Sequence, residues 1–120
     1  MTSQQRRVVI AAREDRLRRS LREGLESLGY VTWGEASDGL AALSQARRAR
    51  PHLVVLAPPL PSLDGAQVAE TLIRSEIAPV VLVAPEGGPS EEAPVREETV
   101  CAPLLQPFSR SSLAEAAGLA

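Results

Sequence analysis

The sequence predicts an α/β chain built on a doubly wound, five-stranded parallel sheet. Short continuous apolar runs alternate with longer stretches of helical periodicity, in the order βαβαβαβ over the first two thirds of the chain. The third apolar run, residues 52–57, is apolar on both faces, as a central parallel strand covered by helices on each side should be.

The elements follow in order. Val8, Val9, Ile10, Ala11 and Ala12 read as a buried strand, preceded by residues 1–6 as a disordered tail. Leu17, Leu21, Leu25 and Leu28 then recur at helical spacing, with Arg16, Arg18, Arg19, Arg22 and Glu26 on the other faces and Gly29 as the C-terminal cap. Residues 30–33 form a second strand. A helix from Asp38 or Gly39 to Ala49 follows on the stripe Leu40, Leu43 and Ala46, and Pro51 stops it. After the third strand, residues 58–65 make a stiff, proline-rich loop leading into a helix that carries Val68, Leu72 and Ile73. Pro79 introduces a fourth strand over residues 80–84.

The rhythm breaks at residues 85–99. Pro85, Gly87, Gly88, Pro89 and Pro94 sit among Glu86, Glu91, Glu92, Glu97 and Glu98. Because Pro94 removes a helical hydrogen bond, the fourth helix of the pattern is expected to be degraded or replaced by a loop. Residues 100–105 supply the last strand, and Ser109 caps a short final helix ending near Ala117. No linker divides the chain, so residues 1–120 read as one domain.

Composition narrows the chemistry. One Phe, one Trp and one Tyr leave the core to Leu, Val, Ile and Ala, and 120 residues suffice for a single core. All 13 basic residues are arginine, so chemistry that needs a lysine is excluded. Cys101 is the only cysteine and can form neither an intrachain disulfide nor a cysteine metal site; it reads as a small buried residue. The net charge of -2 gives no general attraction to nucleic acid. The polar N-terminus has no signal-peptide run, and no stretch reaches membrane-spanning length, so a cytoplasmic location and no membrane partner are expected.

The chain resembles the receiver domains of bacterial two-component response regulators. The resemblance rests on residues 7–10, Leu28-Gly29-Tyr30, residues 34–39, residues 50–56, Pro61-Ser62-Leu63-Asp64-Gly65, residues 78–83 and Gln106-Pro107-Phe108. It covers essentially the whole chain without gaps and implies a flavodoxin-like sheet of order 2-1-3-4-5. The segments around Gly34 and Ala78 are closest in style to receivers of the antiterminator type, which are normally followed by an RNA-binding ANTAR bundle.

Receivers transfer a phosphoryl group to an aspartate at the end of the third strand. That reaction uses two carboxylates to hold Mg²⁺, the aspartate nucleophile, a lysine for phosphoryl oxygens and a hydroxyl that senses the product. By the resemblance, the acidic pair falls on Ala12 and Arg13, the acceptor on Ala57, the hydroxyl on Ala84 and the lysine on Gln106. The aromatic switch residue falls on Pro103. None of the required groups is present, so neither phosphorylation nor Mg²⁺ binding is expected. Arg13, a fixed cation where a metal would bind, either mimics an occupied site or reaches solvent.

The other polar residues read as structural. Glu14 starts the first helix, Asp64 is a helix N-cap, and His52 has no second histidine with which to share a metal. The cluster Arg16, Arg18, Arg19 and Arg22 reads as a solvated face before it reads as an RNA contact. With no catalytic triad, phosphate loop or metal cluster, an enzyme or a small-molecule site is not expected. The sequence points to a phosphorylation-independent pseudo-receiver, a protein-interaction module in signalling, transcription or antitermination control. Its partner, another protein or a second copy, would meet the face built from residues 85–117. Nucleic-acid binding is not expected of this chain alone. The alternative is the N-terminal, receiver-like part of a longer RNA-binding antiterminator, since the chain stops at Ala120, about where such a bundle would begin.

Overall fold

The computed structural model describes residues 6–84, 102–104, 106 and 108–119. Chain order gives β1 (Arg6–Ala12), α1 (Asp15–Ser27), β2 (Tyr30–Ala36), α2 (Gly39–Ala49) and β3 (Leu53–Ala57). Then come α3 (Gly65–Arg74), β4 (Val80–Val83), the three-residue β5 (Ala102–Leu104) and α4 (Arg110–Leu119). Strands β2, β1, β3 and β4 lie side by side in that order, all parallel, and β5 adds along the free edge of β4.

The central strands explain this layering. Successive side chains of a strand point to opposite faces, and in β1 both faces are buried. Val8, Ile10 and Ala12 pack with Val55, Val81, Leu21 and Leu25 of α1, and Leu113 of α4. Val9 and Ala11 pack on the other side with Val54, Leu56, Ala42 and Ala46 of α2, and Val68 and Leu72 of α3. Each fully buried leucine or valine contributes about 1.5–3 kcal/mol relative to exposure. Neither face could therefore be left without its helix pair.

Helix starts are fixed by side-chain acceptors. The Asp38 carboxylate accepts from the Ala41 N–H at 2.7 Å, and Asp64 accepts from the Ala66 N–H at 2.9 Å, so both act as N-caps. At α4 the capping is reciprocal: the Ser109 hydroxyl accepts from the Ser112 N–H at 3.1 Å, and the Ser112 hydroxyl accepts from the Ser109 N–H at 2.9 Å. Gly29 after α1 has φ 99°, the left-handed turn that favours glycine.

The α2 cap is also where the β3–α3 loop is anchored. Ser62 Oγ donates to Asp38 Oδ1 at 3.1 Å and accepts from the Leu40 N–H at 3.2 Å, while the Gly39 N–H donates to Pro61 O at 3.0 Å. The approach is so close that a Cβ on Gly39 would lie 2.0 Å from Leu63 O.

Several boundaries differ from the sequence reading. Arg6 belongs to β1 and not to a tail, and the remaining tail residues lie outside the described residues. β2 runs on to Ala36 because its register with β1 shifts between Val8 and Val9, skipping Trp33 and resuming at Gly34. His52 lies outside β3; its N–H donates to Arg7 O at 2.8 Å, and its Nδ1 accepts from the Arg7 N–H at 3.0 Å. α2 ends not at Pro51 alone but through Arg50, which takes a left-handed conformation at φ 49°. Its carbonyl accepts from the Arg7 guanidinium at 2.7 Å. β4 stops at Val83, β5 spans residues 102–104 rather than 100–105, and α4 continues to Leu119. The expected loss of a helix over residues 85–99 and the burial of Cys101 fall outside the described residues.

Gly39→Ala should lower stability by about 1–3 kcal/mol, because its Cβ meets a backbone carbonyl that cannot yield without moving the loop. Urea unfolding of the two proteins measures the difference.

Candidate functional site

Parallel strands all deliver their carboxyl ends to one edge of the sheet, so the loops that follow them converge there. Ala12, the last residue of β1, pairs with Ala57, the last residue of β3; their relative exposures are 0% and 3%. Above them opens a depression of about 490 Å³ lined by Arg13, Glu14, Leu17, Ala57, Pro58, Pro59 and Gln106.

The residues singled out in the sequence fall into three groups. Arg13, Ala57 and Gln106 line the depression together. Ala12 lies beneath it, fully buried, and Ala84 is tied to it through Gln106, whose Nε2 donates to Ala84 O at 2.9 Å. The Ala84 N–H in turn donates to Leu104 O at 2.8 Å. The amide of Gln106 thus clamps the ends of β4 and β5 instead of reaching across to Ala57. Pro103 does not join the group; it pairs with Leu82 inside the sheet.

The polar content of the depression is small. Glu14 is the N-cap residue of α1 but makes no side-chain capping bond. Arg13 is exposed and has no hydrogen bond or ion pair among the described residues, so its side chain reaches solvent. Asp64 is used as the α3 cap and lies outside the lining.

The cation that engages this end of β1 is a different one, Arg18. It reaches back from α1 to donate to Ala12 O at 2.7 Å and pairs with Asp15. Its Nε also lies 3.3 Å from Glu35 on β2, and Arg22 lies 3.1 Å from the other oxygen of the same carboxylate. The arginine cluster read as one solvated face is therefore divided. Arg18 and Arg22 are partly buried against β2, whereas Arg16 and Arg19 face solvent. Sequence reasoning missed this because the second strand was ended at residue 33, two residues short of Glu35. The available signal was a lone carboxylate inside an apolar, edge-strand run beside an arginine-rich helix.

The response regulator receiver domain family matches residues 8–117. The chain is 36% identical over 115 residues to the transcriptional regulatory protein PdtaR of Mycobacterium tuberculosis, covering 96% of this chain and 56% of that protein. It thus spans about half the length of that relative. Among solved structures, the signal receiver domain of the response regulator NarL from M. tuberculosis superposes with a TM-score of 0.78 at 26% identity, covering 95% of this chain and 94% of that one. The response regulator domain of Thermotoga maritima CheB superposes at 0.75 with 17% identity, covering 98% and 99%, and adds support for the fold alone. The chain belongs to the response regulator receiver domain family, and its flavodoxin-like parallel sheet is that family's fold. Among the described residues no helix is long and apolar enough to cross a membrane.

Removing Arg18 should be felt and removing Arg13 should not. Arg18→Ala leaves Ala12 O and half of Glu35 without their donor and is expected to cost about 1–2 kcal/mol. Arg13→Ala should stay within about 0.5 kcal/mol of the parent, as exposed substitutions do. Denaturant midpoints of both variants check the contrast.

Proposed function

We propose that this chain is a pseudo-receiver that works without phosphorylation, as a protein-interaction module in transcription or antitermination control. The observation that carries the reading is the pair of alanines that ends the two central strands: Ala57 lines the depression, and Ala12, its partner on β1, is buried beneath it. By the resemblance to receivers, these positions stand where the acceptor and one metal carboxylate would be. An alkyl group can neither attack phosphorus nor ligate a hard cation.

The other degenerate positions support the same reading. Mg²⁺ binds several oxygen ligands, and the lining offers one carboxylate, Glu14, beside the guanidinium of Arg13. The residues present do not fit the ion. Gln106, at the lysine position, is occupied with the Ala84 carbonyl. Ala84 has no hydroxyl and Pro103 no aromatic ring with which to couple the pocket to the outer face. A face that is not coupled to a switchable site holds one state. The chain is accordingly read as non-enzymatic and without a small-molecule substrate or cofactor, acting in the cytoplasm. Its partner surface would include β5, α4 and the intervening acidic stretch, and would meet another protein or a second copy.

A second reading is favoured by one observation: the chain covers 56% of PdtaR, whose name describes a transcriptional regulatory protein. In that reading the chain is the receiver-like part of a longer antiterminator-like regulator, and RNA binding resides in residues beyond those considered. An open frame continuing past Ala120, with RNA bound only by the longer product, is the expected result.

Incubation with acetyl phosphate and Mg²⁺ should leave the intact mass unchanged. A hydroxylamine-sensitive adduct of phosphate mass would overturn the pseudo-receiver reading. Ala57→Asp alone should still give no adduct, because the metal ligands would remain absent.

A further inference from the structure

Opposite the depression, at the amino-terminal edge of the sheet, five arginines gather where β1 starts and α2 ends, and one of them lies over the chain's one tryptophan. Arg6 and Arg7 open β1, Arg47 and Arg48 form the last turn of α2, and Arg50 caps it. The Arg7 guanidinium lies 5.0 Å from the centre of the Trp33 ring and donates to Arg50 O, while Arg6 lies 5.6 Å from the Tyr30 ring. Trp33 is nevertheless 53% exposed, at the bulge of the edge strand β2, with Val31 also exposed two residues earlier. A shallow groove of about 330 Å³, lined by Leu40, Leu43, Ser44, Arg47 and Arg48, runs along α2 to its last turn.

The charges here differ from those elsewhere on the molecule. Arg18, Arg22 and Arg74 each face a carboxylate, whereas among the described residues none of these five is in an ion pair. An exposed indole under the Arg7 guanidinium, at an edge with four further arginines, combines two side-chain types enriched at the centres of protein interfaces. Its field selects for an acidic occupant.

We propose that this face docks a second copy of the chain through that copy's Glu-rich stretch, residues 85–99. Charge complementarity selects the occupant. The stretch carries Glu86, Glu91, Glu92, Glu97 and Glu98 against Arg96 alone, in a chain whose net charge of -2 means that the rest of the molecule is distinctly acidic once the five arginines are set aside. That acidic remainder repels a polyanion such as RNA, and it is itself the complement of the basic face. Two such contacts, made reciprocally, close into a two-fold dimer. The inference rests on the interaction-module reading and supplies its surface and partner.

Sedimentation equilibrium at about 50 mM and about 500 mM salt, spanning roughly one Debye length of 14 Å down to 4 Å, tests it. Association at low salt should weaken at least tenfold at high salt, and the single-tryptophan emission should shift to the blue as the dimer forms. The double variants Arg47→Glu/Arg48→Glu and Glu91→Arg/Glu92→Arg should each be monomeric with unchanged far-ultraviolet circular dichroism. Mixing the two should restore association. A monomer at every concentration, association that survives either charge reversal, or binding of a uridine 15-mer to this face without self-association would each overturn the proposal. Adding acetyl phosphate and Mg²⁺ to the same samples separates the two readings. Phosphate-dependent association would sink the pseudo-receiver reading, whereas an unphosphorylated monomer would sink the docking proposal alone.

Discussion

Two-sided burial of β1 and β3 is the constraint from which the rest of the structure follows. Val8 to Ala12 and Leu53 to Ala57 have almost no solvent exposure on either face, so both faces require helices, and parallel crossovers are the connections that place them there. Parallel strands then end on the same edge, which puts Ala57 and the loops carrying Arg13 and Gln106 around one depression, above the buried Ala12. The location of the site is thus a consequence of how the core is filled. Nothing polar at the site is needed to hold it in place, since the strand ends are fixed by the core.

The β1–α1 end shows how the charge balance has been rearranged. Arg18 donates to the terminal carbonyl of β1 and shares Glu35 with Arg22, which joins α1 to the edge strand β2. This is a hydrogen-bonded, partly buried network, not a pair of free surface charges, and it keeps its cation close to the strand end but outside the depression. Arg13 takes no part in it. The guanidinium with a structural task at this end is the one on the helix face, five residues beyond Arg13.

How far the sequence could be read depended on whether the signal was local. The buried strands, the α3 stripe, the Asp64 and Ser109 caps and the Gly29 turn were legible because each rests on apolar periodicity or capping chemistry within a few residues. The α2 stripe was misread at Leu40, which is 60% exposed while Ala42 is buried instead. The place of Ala57, Arg13 and Gln106 around one depression was legible from topology, since parallel strands leave one edge for their loops. What was missed needed tertiary partners. Arg18 and Arg22 meet Glu35 only after α1 packs beside β2, and Gln106 turns to Ala84 where β4 and β5 end side by side. The arginine and aromatic face escaped notice for the same reason. Arg7, Trp33 and Arg50 are far apart in sequence and meet only after β1, β2 and α2 pack.

The two edges of the sheet have therefore diverged in chemistry. At the carboxyl edge the loop after β3 is still fastened to α2 by Ser62, Asp38 and Gly39, at a spacing that admits no side chain on Gly39, yet that loop now follows a strand that ends in Ala57. At the amino edge, a tryptophan that could have been buried stands in solvent beside guanidiniums that have no carboxylate among the described residues. An exposed indole contributes nothing to the core, and a group of like charges gathered on one face opposes folding slightly. Neither feature is explained by the stability of the isolated chain. Each gains a physical reason once that face has an acidic partner to cover the ring and neutralise the charge.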